Sequence, residues 1–396
     1  MPPANKRLAS IDVFRAVTML LMLFVNDLDP VQHVPGWLKH AEEGEDRLGF
    51  ADTIFPAFLF IVGLSIPLAI GQLKKKGLSF AQVVLHIFSR SLALLVMGFF
   101  HVNLENYNEE AAPLPEAVWE ILITVGFFLV WLAYPPSFTP TRRRVLRLSG
   151  VVLLLGMAVL FRGGDDALHP AGMQPYWWGI LGLIGWAYLI CAGVFVLAGG
   201  RLAVLVAAAL FFFLFNLGEQ TGWLESIDPV SDYIWIAGSG AMPAFTMAGV
   251  VFVCVYQRLA AAPHRLLWPV LLPGGLVLLV YGLAVRPYGG IAKLTNTPAW
   301  VGICTGISVW AWAFFIWLVD IGQKQHWFRT ILPAGTSTLT CYLLPYLLYA
   351  GLHLLHFHYP VFLDEGIGGL LRSLLVAFLL VRFTGWLEQK QVRLKI

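Results

Sequence analysis

The sequence predicts an all-α, polytopic integral membrane protein with about 10–12 transmembrane helices and both termini on the cytoplasmic side. Three observations carry that reading. The chain of 396 residues is 58% hydrophobic and only 12% charged, an apolar excess that a soluble core of this size does not need. Its apolar residues fall in long runs, such as "VVLLLGMAVLF" and "LAVLVAAALFFFLFN", that approach the roughly 20 residues a helix needs to cross about 30 Å of hydrocarbon. Lysine and arginine are distributed unevenly between alternate loops. A transmembrane barrel would show short alternating segments, and none occur.

The N-terminal "MPPANKRLASIDVFRAVTMLLMLFVN" has the look of a signal peptide, but it lacks an A-x-A-like cleavage site and runs into Asn26 and Asp27. It reads as a retained first span. Breaks at "KKKG", "NEEAAPLPE", "YPPSFTPTRRR", "FRGGDD", "AGGR", "RPYGG", "GQKQ" and "HFHYP", among others, divide the rest at proline, glycine and charge clusters. Twelve candidate spans result, at roughly 9–27, 51–73, 83–103, 117–134, 145–161, 177–198, 202–217, 238–257, 267–285, 299–319, 331–354 and 367–386. The seventh is short and Pro345 interrupts the eleventh, which sets the lower limit of 10. No linker or internal repeat divides the chain, so residues 1–396 read as one transmembrane domain.

Cytoplasmic loops carry the Lys/Arg excess. With the N-terminus inside, the inner side receives Lys6, Arg7, Lys74, Lys75, Lys76, Arg142, Arg143, Arg144, Arg147, Arg201, Arg258, Arg265, Lys324, Arg329, Lys390, Arg393 and Lys395. The outer side receives Lys39, Arg47, Arg162, Arg286 and Lys293, and most acids, including Glu42, Glu43, Glu45, Asp46, Glu225, Asp228 and Asp232. Cys191, Cys254, Cys304 and Cys341 are scattered through apolar spans without metal-ligand spacing, so neither a disulfide framework nor a metal site is indicated. P-loop, H-E-x-x-H and G-x-S-x-G motifs are absent, and nothing points to a nucleic-acid partner.

Three constellations carry chemistry. Asn26 with Asp27, His40 and Asp52 meet where the first two spans reach the outer surface. Polar side chains at that depth are costly unless paired or facing a cavity, which makes them a candidate site. The alternative is a helix cap at Asp52 and solvated residues elsewhere. Asp12 and Arg15, three residues apart on one helix face, form an ion pair, or Arg15 helps to hold an anionic cofactor. In "PAGTSTLTCYLLPYLLY", Gly335, Thr336, Ser337 and Thr338 surround a helix start that can approach an anion, or else serve close helix packing. His86, Arg90, His101, Asn103, Glu120, Asn216, Arg372 and Arg382 could line an aqueous cavity, with snorkelling to an interface the favoured reading for Arg90 and Arg382.

The segments "RLASIDVFRAVTMLLMLFVND", "KHA" and "ADTIFPAFLFIVGLSI", with "TPAWVGICTGISVWAWAFFIWLVDI" and "PAGTSTLTCYLLPYLLY", together resemble the transmembrane acyltransferase family of lysosomal heparan-α-glucosaminide N-acetyltransferase and its bacterial relatives. The resemblance implies a polytopic enzyme that takes acetyl-CoA from the cytosol and acetylates the amine of a terminal glucosamine on the far side. It places the catalytic histidine at His40, with Asn26 and Asp52 as its companions; given such a donor, the residues read above as able to approach an anion, Arg15, Gly335 and Ser337, are expected near the coenzyme. In a bacterial relative the inner membrane is the expected location. Two departures stand out: "EEGEDRLGF" after "KHA" is longer and more acidic than the family's link, and Ser337 stands where the family has asparagine.

The chemistry suits the residues. An ammonium must lose a proton before it attacks a thioester, and a histidine of pKa about 6.5 accepts one near neutrality. His40 could equally carry the acetyl group as an acyl-imidazole. Competing readings are a transporter for a sugar or peptidoglycan fragment, which would more often show paired repeats and broken helices, and an O-acyltransferase of an envelope glycan. The lipid bilayer and an amino-sugar or glycan acceptor are the expected partners, with a homo-oligomer left open.

Overall fold

The computed structural model describes residues 8–166, 168–176, 179–224, 239–259 and 267–396. Lys6, Arg7, Glu225, Asp228, Asp232 and Arg265, used above to orient the chain, lie outside the described residues. The protein is all-helical. In order come α1 (Ala9–Leu28), α2 (Ala51–Lys75), α3 (Phe80–Leu104), α4 (Glu116–Trp131), α5 (Pro140–Leu160), α6 (Ile180–Leu197) and α7 (Leu202–Gln220). They are followed by α8 (Ala241–Leu259), α9 (Leu272–Ala284), α10 (Pro298–Phe315), α11 (Leu332–Thr336), α12 (Thr338–Leu354), α13 (Val361–Asp364) and α14 (Gly366–Gln389).

Among the described residues, eight helices are long and apolar enough to cross a membrane: α1, α2, α3, α6, α7, α8, α14, and α10 extended by a π-helical turn to Ile321. The molecule is therefore a multi-pass integral membrane protein. The other four expected spans are helical as well, but each is shortened or charged. Helix α4 has 16 residues, and α5 opens with Arg142, Arg143 and Arg144 in its first turns. Helices α9 and α12 are short apolar helices.

The eleventh expected span is broken, and not where proline pointed. Helix α12 runs straight through Pro345. The break falls at Ser337, whose backbone (φ −122, ψ 45) leaves the helical region between α11 and α12. Proline is tolerated in a membrane helix when neighbours re-satisfy the freed carbonyl, whereas a residue off the helical dihedrals interrupts the ladder, even though the Ser337 N–H still donates to the Pro333 carbonyl and its carbonyl accepts from the Cys341 N–H, each at 2.9 Å.

Close backbone approach holds the centre together. A Cβ on Gly63 of α2 would lie 1.9 Å from the Thr246 carbonyl oxygen of α8, and one on Gly249 would lie 2.1 Å from the Phe60 carbonyl oxygen. In lipid no hydrophobic drive brings helices together, so association rests on such contact and on polar pairing. One buried pair does the latter: Arg372 of α14 donates to the carboxylate of Asp27 (3.4 Å) and to its carbonyl (3.3 Å) at the end of α1. It also pairs with Asp364, while Tyr349 donates to Asp27.

Gly249→Leu is expected to separate α2 from α8 and cost more than the ~1–3 kcal/mol typical of overpacking, because backbone is what the side chain meets. Thermal melting of the detergent-solubilised protein checks this against Gly156→Leu, where nothing lies within 4 Å of the added Cβ and the melting temperature should barely change.

Candidate active site

At the end of α2, Asp52 is the organising residue. Its side chain is only 2% exposed. One carboxylate oxygen lies 2.6 Å from His40 Nδ1. The other accepts the N–H groups of Ala41 and Gly49, each at 3.0 Å. Its backbone carbonyl accepts the indole N–H of Trp300 from α10 at 3.0 Å. Asp52 therefore does more than cap a helix: it folds the loop of residues 39–49 back over the start of α2. Gly49 is required there, because a Cβ would sit 1.9 Å from the Lys39 carbonyl oxygen.

An ionised Asp52 is an acceptor only, so it fixes the imidazole proton on Nδ1 and leaves the lone pair on Nε2. His40, with its side chain 29% exposed, then presents a base or nucleophile held in one tautomer. Lys293 completes the cluster, with Nζ 3.2 Å from Nδ1 and 3.5 Å from Nε2. Asn26 is exposed and, among the described residues, makes no hydrogen bond to His40 or Asp52.

Lys293 arrives on the loop between α9 and α10. That loop is pinned at both ends: Arg286 Nε donates to Asp46 at 2.9 Å and the Ile291 N–H donates to Asp46 at 2.7 Å. Farther along, the Ala292 N–H donates to the Thr297 hydroxyl at 3.0 Å, and Asn216 donates to the Asn296 carbonyl at 2.8 Å. The Ile291 N–H and then Arg286 hold the Asp46 carboxyl below the usual carboxylate range. Beside this clamp, on the side that the Lys/Arg distribution leads one to expect outside, lies a cavity of about 540 Å³, the outer cavity, lined by Glu42, Glu43, Glu45, Asp46, Arg286 and Lys293, among others.

A second cavity, of about 380 Å³, opens at the opposite end of the bundle. Arg15, Gly335 and Ser337, all singled out in the sequence, line it together with Arg90, Tyr188 and Lys395. Arg15 is engaged by Asp12, the Gly335 carbonyl and, at 2.6 Å, the Ser65 hydroxyl. Gly335 permits the crossing of α11 over α1, since a Cβ would lie 2.5 Å from the Asp12 carbonyl oxygen. Ser337 is buried, its hydroxyl has no partner among the described residues, and it makes no side-chain cap at the start of α12. The first N–H groups of that helix are thus available to an anion. Arg90 faces this cavity, stacked 4.9 Å over Tyr188, rather than snorkelling to an interface.

The outer cavity is walled by the loop that joins α1 to α2, from Ala41 to Asp46, and the second, on the expected inner side, by the two helices themselves. The inner one reaches from Ala69 up to Phe58 on α2, and Phe58 stands six residues, about 9 Å at 1.5 Å per residue, from Asp52.

Two comparisons bear on this site. Residues 7–170 match a family described as "Domain of unknown function (DUF5009)", a stretch that contains Arg15, Asn26, His40 and Asp52. Over 106 residues the chain is 36% identical to heparan-alpha-glucosaminide N-acetyltransferase of Homo sapiens, covering 26% of this chain and 14% of that protein. It is distantly related to that acetyltransferase. The Mus musculus protein of the same name is 34% identical over 100 residues, 24% of this chain and 14% of the relative. The matched stretch thus spans about one seventh of the relatives' length. Lys293, Gly335 and Ser337 lie beyond residues 7–170.

Sequence reasoning missed Gly49, Lys293, Trp300 and the cavity role of Lys395, and for Arg90 it favoured the interface over the cavity. A signal for Lys293 was present, since it is one of the few cations in loops that topology leaves poor in them.

Asp52→Ala is expected to free the amides of Ala41 and Gly49. Loss of bonds worth ~1–3 kcal/mol to a charged group should speed hydrogen exchange in peptides covering residues 39–50 by about ten-fold or more, measured by mass spectrometry. Exchange in α5 should stay unchanged.

Proposed function

We propose that the protein is a membrane-embedded acetyltransferase that moves an acetyl group from acetyl-CoA to the amine of a glucosamine-type sugar on the opposite side of the membrane. The observation that carries this reading is the His40–Asp52 pair standing between two cavities of opposite character. The inner cavity suits an anionic thioester donor: Arg90, Lys395, the unpartnered Ser337 hydroxyl and the α12 N-terminus would receive phosphate or carbonyl oxygens. Its apolar shaft beside Met19, Met22, Phe58 and Val62 would guide an extended arm towards His40. The acidic outer cavity suits a cationic acceptor. A transporter reading lacks an equivalent reason for a tautomer-fixed histidine.

In this mechanism Asp52 holds His40 with its Nε2 lone pair free, and His40 either removes a proton from the attacking amine or carries the acetyl group between the two cavities. Arg15 braces Gly335 against α1. The Lys/Arg distribution supports placing the inner cavity on the cytoplasmic side, where acetyl-CoA is supplied. The bacterial inner membrane is the proposed location, and residues 1–396 the catalytic domain.

Purified protein should release CoA thiol from acetyl-CoA only when a glucosamine-terminated acceptor is present or, without acceptor, take up a single labelled acetyl group. His40→Ala should lower turnover by about 10²–10⁴-fold. Arg90→Gln should raise KM for acetyl-CoA while leaving kcat nearly unchanged. Absence of thiol release with every amine tested would sink the proposal.

A further inference from the structure

Lys293 belongs to two places at once. It lines the outer cavity, as Ala41 beside His40 does and His40 itself does not, and its Nζ contacts both ring nitrogens of His40. A point so near both nitrogens cannot lie in the ring plane without running into the carbon between them. The amine therefore stands over the face of the imidazole, on the side from which an occupant of the outer cavity must come. Whatever enters that cavity meets Lys293 before His40.

We propose that Lys293 is the base that deprotonates the incoming ammonium acceptor, leaving His40 to handle the acyl group. The inference rests on the acetyltransferase reading above. It gives two protons to two groups. The acceptor RNH₃⁺ passes one proton to neutral Nζ, and its freed lone pair forms the amide C–N bond as the acyl carbon's bond to sulfur, or to His40 Nε2 in a two-step route, breaks. The electron pair leaves on that atom. The second proton leaves the new amide nitrogen through His40 and ends on the departing thiolate. Lys293 returns its proton to the outer cavity, so the sum is ammonium plus thioester giving amide, thiol and one free proton.

The surroundings suit a lysine that cycles between its two forms. Burial pulls the Lys293 ammonium down from the usual lysine range, against the upward pull of Asp52 from α2 and of Asp29 beyond α1. Arg286, on the same loop, is taken up by Asp46. Glu42, Glu43 and Glu45, from the His40 loop, line the cavity and would attract a cationic acceptor to the base. The clamp of Arg286 and Ile291 on Asp46, with the Ala292–Thr297 turn, fixes the lysine over the ring.

The test is a pH profile of kcat/KM for Lys293→Met and Lys293→Arg, run with two acceptors: glucosamine, protonated at the acid end of the range, and a weakly basic arylamine that is neutral throughout. With glucosamine, Lys293→Met should lose about 10²–10⁴-fold below the amine's own pKa, and the deficit should shrink as pH rises past it. Lys293→Arg keeps the charge but cannot accept a proton, so it should share the loss. Both variants should transfer to the arylamine about as well as the wild type. Equal loss with both acceptors, a pH-independent deficit, or full rescue by arginine would each overturn the assignment. Should neither variant fold, the wild type still decides: an acid limb for glucosamine that departs from the amine's own pKa and is absent for the arylamine supports it, and a limb that only follows the amine's own pKa, or identical limbs, overturn it. A wild type that transfers to neither amine refutes the acetyltransferase reading instead.

Discussion

A carboxylate buried at the end of a membrane helix must be paired on every face, and the satisfaction of Asp52 governs the arrangement around it. Leaving such a charge uncompensated costs several kcal/mol, so its two oxygens draw in three donors: His40 Nδ1 and the N–H groups of Ala41 and Gly49. Those three bonds decide the path of the loop between α1 and α2. The loop path in turn places Asp46 where Arg286 and the Ile291 N–H can reach it, and this brings the α9–α10 loop, with Lys293, over the imidazole. Trp300 holds the Asp52 carbonyl from a third helix. One charge thus fixes the geometry of three segments that meet from distant parts of the chain.

The opposite end of the bundle uses the complementary device. A break in a membrane helix exposes backbone donors that lipid cannot satisfy, so irregular backbone is tolerated there only where it lines a cavity or packs in protein. The α11–α12 break at Ser337 meets that condition, because residues 335–339 line the inner cavity. An acidic cavity at one end and a basic one with free helix N–H groups at the other give the α1–α2 pair two chemically distinct mouths. The polar pair at Asp27 and Arg372 ties the His40 end of α1 to α14, while Arg15 ties its other end to Ser65 and Gly335. Both ends of α1 are therefore anchored by charge.

What the sequence discloses follows from distance along the chain. His40 and Asp52 are twelve residues apart and flank one loop, so local context suffices to couple them. Apolar run length likewise places the helices, because lipid imposes a span that composition must match. Lys293 is 253 residues from His40, and no periodicity or spacing links two loops separated, among the described residues, by the eight helices α2 to α9. The Ser337 break escaped for a different reason. Proline is the conspicuous helix breaker in a sequence, yet Pro345 is absorbed within α12, whereas an off-helix serine carries no compositional mark. Arg90 stayed between two readings because length and charge cannot tell a side chain reaching for an interface from one turned into a cavity.

The exceptions to the charge rule turn out to be informative in themselves. Of the five cations assigned to outer loops, four are held by specific partners: Arg47 by Glu45 and the Gly36 carbonyl, Arg162 by two backbone carbonyls, Arg286 by Asp46 and Lys293 by His40. A cation in such a loop opposes the preferred orientation, and here each of the four is retained where it closes a contact that shapes a loop. Three of the four lie in or against the walls of the outer cavity. Two of these, Arg47 and Arg286, are matched by carboxylates, and Lys293 alone rests on an imidazole, a partner whose own charge state changes during the chemistry proposed for it. That asymmetry separates a lysine placed to exchange a proton from arginines placed to hold a loop.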